Sequence, residues 1–240
     1  MGETSWKFES SPGHQIRPSA PPPGDGGGLG RTPWAARLTI TLHRGDLPAG
    51  LEFGPSVAID SETMGLNPHR DRLCLVQLSG GDGTAHLVQF PLGSWDAPNL
   101  KALLTDPAVT KLFHFGRFDI AVFRHYLGVL TAPVYCTKIA SKLVRTFTDR
   151  HGLKDLCKEL LNIEISKQQQ SSDWGAEELS EDQLKYAASD VLHLHQLRLR
   201  LDLMLAREGR SETARACFDF LPTRALLDLE GWPELDIFAH

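Results

Sequence analysis

Apolar and polar residues alternate in RLTITLH, residues 37–43, and a period of two predicts a strand. PSVAID (55–60), DRLCLVQLS (71–79) and TAHLVQF (84–90) repeat the signature, separated by the turn-prone NPHR and GGDG. A helix near 99–104 leads to the apolar run VTKLFHF (109–115), a further core strand. The period then changes, and 117–127, 137–147, 153–161 and 180–206 fit helices. Ser180 and Gln183 form a capping box at the start of the last one. Strands first, then strands alternating with helices, predict an α/β domain with a mixed central sheet.

The first 36 residues carry no such pattern. Their Pro, Gly and Ser content, with PPPGDGGGLG at its densest, reads as a disordered leader or as a remnant foreign to the native protein. At the other end CFDFLPTRALLDLEGWPELDIF is rich in Leu and Phe, so 207–240 is expected as a helical extension packed on the core. RNA binding and a homo-oligomer contact are the alternatives for that tail.

The 240 residues are 41% hydrophobic, enough for a sizeable core. No apolar run approaches the ~20 residues that span a bilayer, and no secretory layout opens the chain, which argues against a membrane and for the cytoplasm. Cys74, Cys136, Cys157 and Cys217 lack CxxC spacing and read as buried free thiols. A net charge of -5 gives no support to non-specific nucleic-acid binding. It leaves room for a site that takes cations first and phosphates afterwards.

The acids suggest such a site. Asp60 and Glu62 end a buried strand two residues apart, so both point the same way, roughly 7 Å apart along the strand. Asp190 shares a helical face with Leu194, Leu197 and Leu201, and Tyr186 lies one turn before it in Y-A-A-S-D. Asp119 interrupts the stripe of Val122, Phe123 and Tyr126. Each acid alone fits a solvated or salt-bridged position, but four core-facing acids need neutralising, and an isolated buried carboxylate costs several kcal/mol. Arg117 is the basic residue nearest these motifs and is off the face of Asp119. Oxygen-only ligands suit hard divalent cations, and two ions about 3.5–4 Å apart would clamp a phosphoryl displacement.

The ordered set of D-x-E (Asp60, Glu62), F-D (Asp119) and Y-x3-D (Tyr186, Asp190) resembles the DEDD 3'-5' exonucleases of the tyrosine subclass, most closely the bacterial ribonuclease D family. The resemblance runs from about 38 to 206 and is densest in HGLKDLCKELL and SDWGAEELSEDQLKYAASDVLHLHQL. It implies an RNase H-like fold with a mixed five-stranded sheet flanked by helices, and an exonuclease domain over 37–206. It also implies two Mg2+ or Mn2+ ions, with Asp60 bridging both, Glu62 and Asp190 completing the first site and Asp119 supporting the second. Tyr186 would orient the attacking water, and nucleoside 5'-monophosphates would leave one at a time from the 3' end of single-stranded RNA. Met64 and Leu66 fall where the family wedges apart terminal bases, with turn packing as the alternative.

His114 reads as a core histidine or a contact to the terminal nucleotide. Trp174 reads as packing beneath the helix of Asp190 or as a base-stacking surface. Lys138, Lys142 and Arg145 form one basic helical face, followed by Arg150 and Lys154, and this is a solvated face or a phosphate track. About fifty residues follow Asp190 here, too few for the paired helical C-terminal domains of ribonuclease D, which leaves substrate choice open. D-S-E-T replaces the commoner D-T-E and keeps both acids. DNA as the substrate, and a non-catalytic RNA-binding module of the same fold, stand as alternatives.

Overall fold

Six strands build one mixed sheet in a computed structural model that describes residues 39–166, 168–169 and 171–239. The expected leader lies outside the described residues. β1 (Thr39–Arg44), β2 (Ser56–Thr63), β3 (Leu73–Ser79), β4 (Thr84–Gln89), β5 (Thr110–Phe113) and β6 (Val134–Cys136) take the order β1-β4-β3-β2-β5-β6. β3 runs antiparallel to β2 on one side and β4 on the other, while β1 joins β4, and β5 and β6 continue from β2, in parallel. The expectation of five strands is corrected by β6, whose three residues are too few to register a period. All seven residues of β3 are buried, as its nearly unbroken apolar run LCLVQLS requires of a strand covered on both faces.

The helices are α1 (Pro98–Thr105), α2 (Arg117–Tyr126), α3 (Thr137–Val144), α4 (Leu153–Leu156), α5 (Glu181–Leu192), α6 (Leu194–Arg207) and α7 (Ser211–Leu229). A π-helical turn, Cys157–Leu161, extends α4. The capping box is formed, with the Gln183 amide N–H donating to Ser180 Oγ at 3.2 Å and the Ser180 amide N–H to Gln183 Oε1 at 3.0 Å. The expected single helix over 180–206 is two, divided at His193. α5 follows the sheet across β2, β3 and β4, whereas α6 packs on α3 and the π-helical turn, so the chain bends between two surfaces.

The helix expected over 137–147 stops at Val144. Arg145 turns inward, 1% exposed, where it pairs with Glu159 and donates to Ser141 Oγ and the Arg150 carbonyl. It therefore leaves the basic face expected with Lys138 and Lys142, because a buried guanidinium must direct its donors to internal acceptors. α7 packs on α2 and β6 and buries Phe218, Leu221 and Ala225. From α7, Asp228 accepts both hydrogen bonds of a forked pair with Arg117. Cys74, Cys136 and Cys157 are buried free thiols, and Cys217 is free and half-buried.

Lys111 of β5 is fully buried, and its ammonium donates to the carbonyls of Asp106, Val109 and Ala132 at 2.6, 2.8 and 2.7 Å. It ties the turn before β5 to the loop before β6. Lys111→Met would strand those acceptors and is expected to cost roughly 3 kcal/mol, read as a lower melting temperature by calorimetry at pH 7. Burial pulls the Lys111 pKa down to about 8. An unfolded lysine holds its proton to about 10.4, so the cost of the buried charge is constant below pH 8 and is relieved as pH rises from there.

Candidate metal centre

β2 and β5 run parallel with Ala58 beside Leu112, so Asp60 and Glu62 emerge at the sheet end where the chain leaves β5 for α2. α2 brings Asp119 to that end in its first turn. α5, lying across the sheet, brings Asp190. One carboxylate oxygen from each of Asp60, Glu62 and Asp190 lies within 4.8 Å of the others. Asp119 stands outside this trio, 3% exposed, where Ser61 Oγ donates to its Oδ1 at 2.6 Å.

The cluster is electrostatically strained. Burial, and then the charges of Asp119, Asp190 and Glu62, hold the Asp60 carboxyl well above the usual carboxylate range. Burial followed by Asp190 and Asp119 pushes Glu62 up to about 9. Asp119 is raised to about 7 by burial against the opposing hydrogen bond from Ser61. Asp190 is raised to about 7 by burial, against a hydrogen bond from the Tyr186 hydroxyl. Burial also raises the Tyr186 phenol, which stays protonated and remains a donor.

Among the described residues no Lys or Arg forms an ion pair with any of the four acids. Arg117, the one basic candidate in the sequence motifs, is committed to Asp228. Closely set oxygen donors without nitrogen or sulfur, and without a basic counter-charge, fit a hard divalent cation. The pocket therefore passes the chemical test for metal that its residues raise.

The other candidates fall at different places. Met64 and Leu66 follow β2 and are 51% and 85% exposed, so both present apolar surface to solvent. His114 Nδ1 lies 2.9 Å from Thr137 Oγ1, and burial first, then Lys138, pull its pKa down to about 3, which makes it a neutral histidine with a partner inside the chain. Lys138 and Lys142 lie on α3, one turn apart. Trp174 is 2% exposed and packs at 6.0 Å from the Tyr186 ring, beneath α5, with no face open to a base. Ser61 was not singled out in the sequence. The only local signal was a hydroxyl between two acids, and its partner Asp119 is 58 residues away.

A mixed sheet flanked by helices, with carboxylates from a strand and two helices gathered at one end, defines an RNase H-like fold whose acids fit divalent cations. The chain belongs to the 3'-5' exonuclease family, whose model matches residues 46–206. It is similar to ribonuclease D of Gluconacetobacter diazotrophicus, 40% identical over 173 residues that cover 72% of this chain and 44% of that relative. The chain thus spans less than half the length of that relative. Brucella melitensis NrnC bound to pGG is 61% identical with a TM-score of 0.82, over 85% of this chain and 99% of that one. The structure of Brucella melitensis NrnC with bound Mg2+ is 60% identical with a TM-score of 0.81, over 84% and 99%. Among the described residues no helix is long and apolar enough to cross a membrane.

Proposed function

We propose that this chain is a metal-dependent 3'-5' exoribonuclease that releases nucleoside 5'-monophosphates from the 3' ends of single-stranded RNA. The observation that carries this reading is the trio of Asp60, Glu62 and Asp190, with oxygens within 4.8 Å and, among the described residues, no ion pair to Lys or Arg. Two divalent ions, Mg2+ or Mn2+, would supply Lewis-acid charge stabilisation and a water that is easier to deprotonate. Asp60, Glu62 and Asp190 would hold the ions, with Asp119, which accepts a hydrogen bond from Ser61, as the further carboxylate.

Tyr186 stays protonated and orients the attacking water while its hydroxyl keeps Asp190 in place. Met64 and Leu66 offer exposed apolar surface beside the acids, suited to wedging a terminal base. Lys138 and Lys142 offer positive charge to the strand's phosphates, whereas His114, already partnered by Thr137, would meet the terminal nucleotide as a neutral ring. The same reading assigns 37–206 to the exonuclease domain, 207–240 to a helical extension and the cytoplasm as the location.

RNA is favoured over DNA by the ribonuclease D relatives, and a short ligand by the pGG-bound structure. The deciding experiment incubates the protein with Mg2+ or Mn2+ and labelled RNA and DNA, single- and double-stranded, with pGG in parallel. Stepwise shortening of single-stranded RNA to monophosphates is expected. Preference for DNA would overturn the substrate class, and binding without cleavage would make the chain a non-catalytic module.

A further inference from the structure

Phe115 is the residue by which the chain leaves β5 for α2, and it has φ +73°. That left-handed turn is the ordinary place for glycine or asparagine, and a bulky aromatic there is strained. Glycine is required instead at the next position, since a Cβ on Gly116 would stand 2.6 Å from the Phe113 Cβ. The local geometry therefore accounts for Gly116 and leaves the ring of Phe115 unexplained. That ring is not packed into the core, because Phe115 is 48% exposed.

Lys138 Nζ stands 4.2 Å over the centroid of the Phe115 ring, a cation–π contact. Lys142, one turn along α3, adds a like charge that pulls the Lys138 ammonium below its ordinary lysine range, after burial. Such a pair at i, i+4 costs helix stability unless an anion lies between. The topology places both features beside the acids. β5 lies next to β2, Phe113 of β5 pairs with Cys136 of β6, and Lys138 follows two residues later, so Phe115, Lys138, Asp119 and Asp60 share one end of the sheet.

We propose that Phe115 and Lys138 form a nucleobase subsite, in which a base of the substrate strand stacks on the exposed surface of the Phe115 ring and the Lys138 ammonium takes the adjoining phosphate. This deepens the exonuclease reading and rests on it. An aromatic face accepts any base, so the subsite adds affinity without sequence preference. The strain at φ +73° is then the cost of holding a ring where glycine would leave a gap.

The test uses Phe115→Gly, which suits the left-handed backbone, together with Phe115→Leu, Phe115→Trp and Lys138→Ala. Steady-state kinetics on pGG and on single-stranded RNA with Mn2+, and melting temperatures, are read for each. Phe115→Gly and Phe115→Leu are expected to raise KM about tenfold with kcat within about twofold. The Gly variant should melt no lower than the native chain, Phe115→Trp should keep the native KM, and nucleotide should quench the new indole. Lys138→Ala should raise KM less and flatten its salt dependence.

Native KM in Phe115→Gly, or in Phe115→Leu, would overturn the subsite while leaving the metal centre standing. A native chain inert toward pGG, RNA and DNA with either metal would instead overturn the exonuclease reading, and the subsite with it.

Discussion

Asp60→Asn is expected to reduce RNA turnover by at least the roughly 10²–10³-fold that follows loss of one preorganised electrostatic group. The carboxamide keeps the shape of Asp60 on β2 but gives up the charge that two cations would share. The fold should not suffer, because burial and three neighbouring acids already penalise that charge. In metal-free protein the acids hold protons that the unfolded chain would release. Burial pushes Glu62 up to about 9 and Asp119 and Asp190 up to about 7, all above their unfolded values near 4.

Stability of the metal-free native chain should accordingly fall as pH rises from about 4 through those folded values, since the unfolded state then binds fewer protons than the folded one. Mn2+ or Mg2+ should raise its melting temperature at pH 7.5, chelator should reverse that gain and stop turnover, and Asp60→Asn should melt at least as high as the metal-free native chain but gain little from metal. Thermal melts with and without Mn2+, run beside the labelled-RNA assay, check all of this. Native turnover in the variant would remove Asp60 from the site.

Tyr186→Phe is expected to lower kcat by roughly 10²-fold, the low end for loss of a group that manages a proton or its acceptor. The ring still packs on Trp174, so the loss is confined to the hydroxyl. Asp190 loses the hydroxyl that opposes the rise of its pKa, and that pKa should climb further. Metal-dependent stabilisation should survive, because Asp60, Glu62 and Asp190 all remain. Single-turnover cleavage at saturating Mn2+, together with the melting shift, separates the two effects. A rate equal to the native one would take Tyr186 out of the chemistry.

The candidate site was more legible in the sequence than its surroundings. A carboxylate on an apolar stripe is a local contradiction, so Asp119 and Asp190 could be singled out from spacing alone, and Asp60 with Glu62 from strand parity. Arg145 was misread for the same local reason. It continued the spacing of Lys138 and Lys142, and only the acceptors around it, Glu159 and the Arg150 carbonyl, show why it turns inward. The break at His193 has no Gly or Pro to announce it; α5 lies on β2, β3 and β4, whereas α6 packs on α3 and the π-helical turn, and those partners are remote in sequence. Ser61 is silent in sequence, since a hydroxyl's role depends on what lies opposite.

The sequence by itself singled out the candidate residues, because an acid among apolar residues and a Y-x3-D spacing are properties of a few neighbouring positions. Only the tertiary structure decided that Asp60, Glu62 and Asp190 converge within 4.8 Å while Asp119 stands aside on Ser61, and that Arg117 is withdrawn to Asp228. Strand order and helix docking join segments more than a hundred residues apart, and no short-range pattern of polarity encodes the distance between them.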